Sequence, residues 1–366
     1  MINKITISLL LLLSVVVQAQ ENLHITGNIE GIDNETKLRL SVEGAEQEFY
    51  LKDGKIDVSM TLQETPSSVY LIVLEEGESK YTSFFLGNEE VTLEGSIDDF
   101  GGNLKAIGSI YDGLRYENYL LTKEFEDEIK QLNIDMKSLA EKELLTDSIK
   151  QQTSNKWKDI MHRRAQKEFG FILKNINSDY GRFLLQFTTG NYSVEQFKIL
   201  LDAVEPEFID KKEVQFLKAL AESTPLELGD KYYDFKAEDI NGNEVKFSEY
   251  FDGKYVMLDF SNVNCGFCYM AAPKTAELAE DLKDKLVYIT YHTGNNRIDA
   301  EEYYKLKGGK GNIIWNKEGD YSKVIAMYRN TGTPTYLLFN PEGVFLGKFL
   351  GTNIDLKKSI LDAMNN

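Results

Sequence analysis

Residues 260–273 read FSNVNCGFCYMAAP, and the reading of this stretch decides the fold of the C-terminal part of the chain. It holds the only two cysteines among 366 residues, Cys265 and Cys268, separated by Gly266 and Phe267. An apolar run, YVMLDF, leads into it, and Pro273 follows eight residues after the first cysteine. The pair is open to three readings: a structural staple, half of a metal site, or a redox couple. With Cys265 at the first turn of a helix, its sulfur faces unpaired backbone N–H groups and the positive helix end. Both favour thiolate over thiol and make an attacking nucleophile. Cys268, three residues on, lies on the same helix face at about 5–6 Å, a separation that suits a disulfide. A two-residue bridge closes almost no loop, so it restrains the unfolded chain little and makes a poor staple. A structural zinc site takes four ligands, and the chain offers two cysteines and three histidines. The residues favour a Cys265–Cys268 redox couple, with no metal or other cofactor expected.

Compartment bears on this. The chain opens MINKITISLLLLLSVVVQAQ. Lys4 supplies a basic end, Ile5 to Val17 an apolar stretch, and Val17-Gln18-Ala19 a small-residue cut of the A-x-A type. Residues 1–19 are expected to be a cleaved secretory signal, too short to span a bilayer comfortably. No later segment looks transmembrane. Cleavage removes Lys4 and no acid, moving the formal net charge from −18 to −19. So acidic a protein is a poor partner for nucleic acid or anionic lipid. Two cysteines are too few for a disulfide framework in an exported chain of this length, so the domains must hold by burial.

Three textures divide the rest. Residues 20–108 read as β: LHITGNI and KLRLSVE alternate, and EFYLKDGKIDVSMTL places Asp53-Gly54 between alternating runs, a strong two-residue hairpin signal. An antiparallel sandwich or barrel is expected. Residues 109–224 read as helical. No proline falls between Pro66 and Pro206, and Leu121, Phe125, Ile129, Leu132, Met136 and Leu139 recur at three- and four-residue spacing. Ser193 and Gln196 form a capping box, with Tyr192 and Phe197 as its staple. The simplest role for these helices is packing, and His24 and His162 have no partner pattern. Residues 225–366 alternate strands (YVMLDF, LVYITYH, NIIW) with helices, GDYSKVIAMYRN among them. A hairpin across Pro341-Glu342-Gly343 and a final helix follow. This implies a mixed sheet with helices on its faces.

With these residues in view, 225–366 resembles a thioredoxin-fold domain, specifically the TlpA/ResA-like thiol–disulfide oxidoreductases grouped with the AhpC/TSA family. The resemblance rests on LDF before the cysteines, the C-x-x-C opening a helix, Pro273 in C-G-x-C-x-x-x-x-P, and TGTPTYLLF with Thr333-Pro334 leading into a strand. The extra helix and strand around DAEEYYKLKGGKGNIIW fit that family's insertion. By domain order, the front of the chain is similar to the β domain that precedes such thioredoxin domains in some bacterial envelope proteins. Asn264 stands where the family usually has tryptophan, and Ser261 where it is often aromatic, which thins the apolar apron around the dithiol.

The resemblance implies a division of labour. Cys265 attacks a substrate disulfide and Cys268 resolves the mixed disulfide. Thr333, beside cis-Pro334, aligns the target polypeptide, and Phe267 is expected at the same surface. Asp259 interrupts an otherwise apolar strand, where a buried carboxylate tends to stay protonated. The family keeps a buried acid beneath the second cysteine, so Asp259 is the expected proton acceptor for Cys268. His292 reads as an exposed loop histidine. Partners would be proteins carrying disulfides and an upstream membrane dithiol donor, in the periplasm or cell envelope. A peroxidase is one alternative, but Asn262 and Leu258 replace both signature residues of the P-x-x-x-T/S-x-x-C pattern. A non-catalytic envelope binding module is the other.

Overall fold

The computed structural model describes residues 22–42, 45–74, 80–352 and 355–365, so the expected leader lies outside the described residues. The chain divides into two units between Lys123 and Glu124.

In the first unit the period-two runs become strands: β1 (Leu23–Glu30), β2 (Lys37–Val42), β3 (Ala45–Tyr50), β4 (Ile56–Met60), β5 (Ser67–Leu74), β6 (Lys80–Leu86), β7 (Glu90–Ser96) and β8 (Ala106–Ile107). They form two four-stranded sheets, ordered β4-β1-β7-β8 and β3-β2-β5-β6. Their inward residues, among them Leu23, Ile25, Leu38, Leu40, Val69, Leu71, Phe84 and Leu93, share one core. Pairing is antiparallel except for β1 with β7, which run parallel. Gly27 in β1 is required by that pair: a Cβ there would lie 2.0 Å from the Leu93 carbonyl oxygen.

The Asp53-Gly54 turn forms, with φ of 52° and 75° and the Lys52 and Lys55 backbones bonded to each other. The long hairpin expected around it does not. Beyond that bridge β3 joins β2 while β4 crosses to β1 in the other sheet. The alternation of Ile56, Val58 and Met60 is satisfied by facing the shared core, and pairing with β3 is not needed for it.

The start of α1 (Asp112–Glu141) is locked into this unit by a buried pair. The Asp112 carboxylate accepts the Phe85 and Ala106 N–H groups at 3.1 and 3.0 Å and two donors of Arg115 at 2.7 and 2.8 Å. Arg115 also donates to the Gly102 and Leu104 carbonyls, both at 2.6 Å.

In the second unit, α1 from Glu124 onward and α2 (Asp147–Asn175) run antiparallel, tied by Arg163–Glu128 at 2.7 Å and by Thr153 against Met136. Of the expected apolar stripe only Phe125 is fully buried. The other five positions are half-buried, as a two-helix hairpin gives each helix one partner to cover it. Next come α3 (Asp179–Phe183), α4 (Val194–Asp202) and α5 (Lys212–Glu222). The capping box at Ser193 and Gln196 is present, and the Tyr192 and Phe197 rings lie 5.9 Å apart.

The same unit contains the mixed sheet: β9 (Lys236–Asp239), β10 (Glu244–Lys246), β11 (Tyr255–Ser261), β12 (Leu286–His292), β13 (Asn312–Trp315), β14 (Thr335–Phe339) and β15 (Phe345–Leu350), in the order β10-β9-β13-β12-β11-β14-β15. Helices α6 (Gly266–Asp281), α7 (Arg297–Leu306), α8 (Lys323–Met327) and α9 (Leu356–Asn365) complete it. The stretch GDYSKVIAMYRN is not one helix. A short 3-10 turn, Gly319–Tyr321, is cut from α8 by Ser322, whose hydroxyl caps α8 by accepting the Val324 N–H. No helix among the described residues is long and apolar enough to cross a membrane.

Replacing Asp112 with Ala would strand a buried guanidinium and two buried N–H groups. Loss of one partner from a buried pair costs about 3–5 kcal/mol, and urea unfolding of Asp112→Ala should show a loss of that order. A loss below about 1 kcal/mol, the range of exposed pairs, would contradict the role assigned to this pair.

Candidate active site

Strand β11 is apolar and buried on both faces, as a central strand covered by helices must be. Its end delivers the chain to a tight connection. Asn262 accepts the Asn264 N–H on its side chain at 2.9 Å and the Cys265 N–H on its carbonyl at 3.2 Å. Its amide donates to Thr293 Oγ1 at 3.1 Å, and the Thr293 N–H returns to the Ser261 carbonyl at 2.9 Å. Cys265 is the N-cap of α6, and its Sγ accepts the Cys268 N–H at 3.2 Å. The thiol thus takes the place that serine or aspartate fills at most helix starts.

The two cysteines are free thiols in unlike settings, Cys265 part-exposed and Cys268 buried. Burial pushes the Cys265 thiol up. Hydrogen bonds from the Cys268 thiol, the Thr333 side chain and the N–H groups of Cys268 and Phe267 outweigh it, so its pKa falls below the ordinary value. Cys268 packs among Ala272, Ala300, Tyr303, Ile313 and Trp315. Burial first, then its bond to Cys265, push its pKa up to about 12. One sulfur is prepared to attack and the other holds its proton.

Thr333 reaches this pair from β14. Because β14 runs antiparallel beside β11, with Phe260 opposite Thr335, the residues just before β14 face those just after β11. The Cys265 thiol donates to the Thr333 carbonyl at 3.4 Å, and the Thr333 side chain lowers the pKa of both thiols. The Thr333–Pro334 peptide is cis. Phe267 is 60% exposed on the first turn of α6, beside exposed Tyr269 and Met270.

Asp259 is fully buried. It accepts hydrogen bonds from Ser261 at 2.6 Å, Tyr288 at 3.0 Å and Thr290 at 3.3 Å. Burial raises its pKa, opposed by Lys307 and by these three donors. Asp259 and Cys268 share neighbours: both act electrostatically on the phenols of Tyr303 and Tyr336. Tyr303 donates to the Cys268 carbonyl at 3.4 Å. Buried hydroxyls therefore surround the acid, and Tyr303 lies beside the second cysteine.

Two participants escaped the sequence. Lys307, at the end of α7, places its Nζ 3.0 Å from Thr290 Oγ1, 4.3 Å from the Tyr288 ring centre and 3.9 Å from Asp259. Burial pushes its pKa down to about 8 against the pull of Asp259. In KLKGGKG nothing marks this lysine from its neighbours. His292, expected on an exposed loop, is instead the fully buried last residue of β12. Its Nε2 accepts the Val263 N–H at 3.0 Å, and burial pushes its pKa down to about 4, so the ring is neutral. Gly294 lets the chain pass it, as a Cβ there would lie 2.6 Å from His292 Cε1. Among the described residues no group of three or more acidic, cysteine or histidine side chains is placed to hold a metal ion.

With reduced protein at neutral pH, iodoacetamide should modify Cys265 at least about tenfold faster than Cys268, since only the exposed, acidified thiol presents thiolate. Equal rates, or a faster Cys268, would contradict this asymmetry.

Residues 228–345 match the AhpC/TSA family. Among solved structures, the thioredoxin domain of a thiol-disulfide oxidoreductase from Bacteroides vulgatus is 25% identical over 37% of this chain and 97% of that one, with a TM-score of 0.35. A thiol:disulfide interchange protein from Bacteroides sp. is 25% identical over 38% of this chain and 92% of that one, also with a TM-score of 0.35. A thiol-disulfide oxidoreductase from Bacteroides fragilis is 18% identical over 36% and 98%, with a TM-score of 0.34. Residues 228–345, with the C-x-x-C pair at the start of α6, are an AhpC/TSA-family thioredoxin-like domain preceded by a further N-terminal region.

Proposed function

We propose that the protein is an extracytoplasmic thiol–disulfide oxidoreductase that reduces or isomerises protein disulfides. The observation that carries this is the asymmetric pair: an acidified, part-exposed Cys265 over a buried, protonated Cys268. The Cys265 thiolate attacks one sulfur of a substrate disulfide, forming a mixed disulfide and releasing the other sulfur as thiolate. Cys268 then loses its proton and attacks Cys265 Sγ. The Cys265–Cys268 bond forms, the second substrate thiol leaves, and two electrons have passed to the substrate. Asp259, whose ionised form Lys307 favours, is the acceptor for that proton. A dithiol donor from the envelope membrane restores the reduced pair. The backbone at Thr333 and the exposed Phe267 meet the polypeptide. The apolar, small-residue start of the chain supports export.

Direction follows from how strongly the thiolate is held. Thioredoxin lies at about −270 mV and DsbA at about −120 mV, a gap of roughly 7 kcal/mol for a two-electron couple. Gly266 and Phe267 add no side-chain donor, and the Asn264 N–H is bonded to Asn262. Thr333 adds one donor, worth about 1.5–3 kcal/mol to a charged group, short of that gap. Equilibration with glutathione should therefore give a potential nearer thioredoxin. A value above about −160 mV would make the protein an oxidant and defeat the reading. So would consumption of peroxide without reduction of protein disulfides.

Asp259→Asn should slow the resolving step while sparing the first attack, because Asn cannot take the Cys268 proton. Single-turnover kinetics of a preformed mixed disulfide measure this. An unchanged resolution rate across pH would remove Asp259 from the mechanism.

A further inference from the structure

The segment between α8 and Pro334 is held from the side of the helical region. Arg329 is buried, and its Nη2 donates to the Leu220 and Ser223 carbonyls at the end of α5, at 2.6 and 2.8 Å. Its guanidinium lies 4.9 Å from the centre of the Phe197 ring in α4. The Arg329 backbone has φ of +46°, a region costly for a residue with a side chain and kept only where surroundings enforce it. One residue on, the Asn330 carbonyl accepts the buried Thr189 hydroxyl at 3.1 Å. Next, Thr331 packs so closely on Gly190 that a Cβ there would lie 2.6 Å from Thr331 Cγ2. Three consecutive residues are thus pinned by side chains or carbonyls of the helical region. Two residues later comes Thr333, whose carbonyl accepts the Cys265 thiol at 3.4 Å and whose side chain lowers the pKa of both thiols. The other end of the loop is tied to the sheet: Thr335 donates to the Gly332 carbonyl at 2.7 Å and Gly351 to the Pro334 carbonyl at 3.0 Å.

We propose that the helical region is a working part of the redox site: Thr189 and Arg329 are positioning residues that set Thr333 against the dithiol. The inference takes the cysteine pair to be the redox centre argued above. Helices that merely fill space would need to bury apolar surface against the domain, and Phe216 against Tyr321 at 5.9 Å does this. They would not need a buried hydroxyl, two backbone carbonyls and a glycine all directed at the three residues before the Gly332–Pro334 turn. A hydrogen bond to a thiolate depends steeply on geometry, so slack in this loop weakens the support of Thr333 for ionised Cys265. The reduced form is destabilised relative to the disulfide, and the pair becomes a stronger reductant.

The test uses the full chain with Thr189→Val, which is isosteric and lacks the hydroxyl, Thr189→Ser, which keeps it, and Lys198→Ala on the exposed face of α4 as a control. The readouts are thiolate absorbance of Cys265 against pH and the dithiol–disulfide equilibrium constant with glutathione. Thr189→Val should raise the Cys265 pKa and shift the equilibrium constant toward the disulfide by about threefold or more, within the range of one net hydrogen bond. Thr189→Ser and Lys198→Ala should match the parent. If Thr189→Val does not fold, Gly190→Ala, which pushes on Thr331, is read in its place and should shift both quantities. A folded variant with parental titration and equilibrium overturns the proposal, as does a shift of equal size in Lys198→Ala. A parent that fails to exchange with glutathione overturns the oxidoreductase reading instead, and the thiolate titration then still decides the role of Thr189.

Discussion

The site depends on one constraint, the antiparallel register of β11 and β14. With Phe260 opposite Thr335, the outgoing end of one strand and the incoming end of the other lie side by side. Cys265 and Thr333 can meet only because of this. A slip by one residue would turn every side chain of β14 to the other face and carry Thr333 away from the sulfurs. The register is secured by burial, since both strands are covered on both faces and have no solvent-facing alternative. Chemistry at the cysteines is therefore a consequence of sheet packing, with Thr333 two residues before β14 and Cys265 four residues after β11.

From that register the asymmetry of the two thiols follows. Cys265 lies at the helix end, where backbone donors converge and solvent reaches it. Cys268, one turn inside, lies among Ala272, Ala300, Tyr303, Ile313 and Trp315. A dithiol with equal members would have no defined attacking sulfur. Burial separates them because it penalises a charge wherever donors do not offset it.

The protein handles two buried acids in different ways. Asp112 is saturated: two backbone donors and two guanidinium donors within 3.1 Å leave it nothing to exchange. Asp259 has three hydroxyl donors, and its cation stands off at 3.9 Å. Hydroxyls can give and take a proton, whereas a guanidinium does not. The first arrangement suits a structural lock, and the second suits a group whose ionisation changes.

Local patterns in the sequence were sufficient wherever a few neighbouring residues decide the outcome. The apolar run of β11, the period-two alternation of the β unit, the capping box at Ser193 and the Asp53-Gly54 turn are of this kind, since each rests on backbone geometry or on contacts within about four residues. The spacing of Cys265 and Cys268 likewise determined that both thiols share the start of one helix. What lay beyond the sequence depends on residues far apart in the chain. The separation of β3 and β4 into different sheets, the short β9–β10 pair, the burial of His292 beside Val263 and the approach of Lys307 to Asp259 leave no periodic trace. Neither do the contacts of Thr189 and Arg329, which join residues more than 100 positions apart. Side-chain identity by itself does not distinguish a surface threonine from one whose hydroxyl holds an active-site loop. Only the tertiary structure, by removing water from one and leaving it on the other, decides which it is.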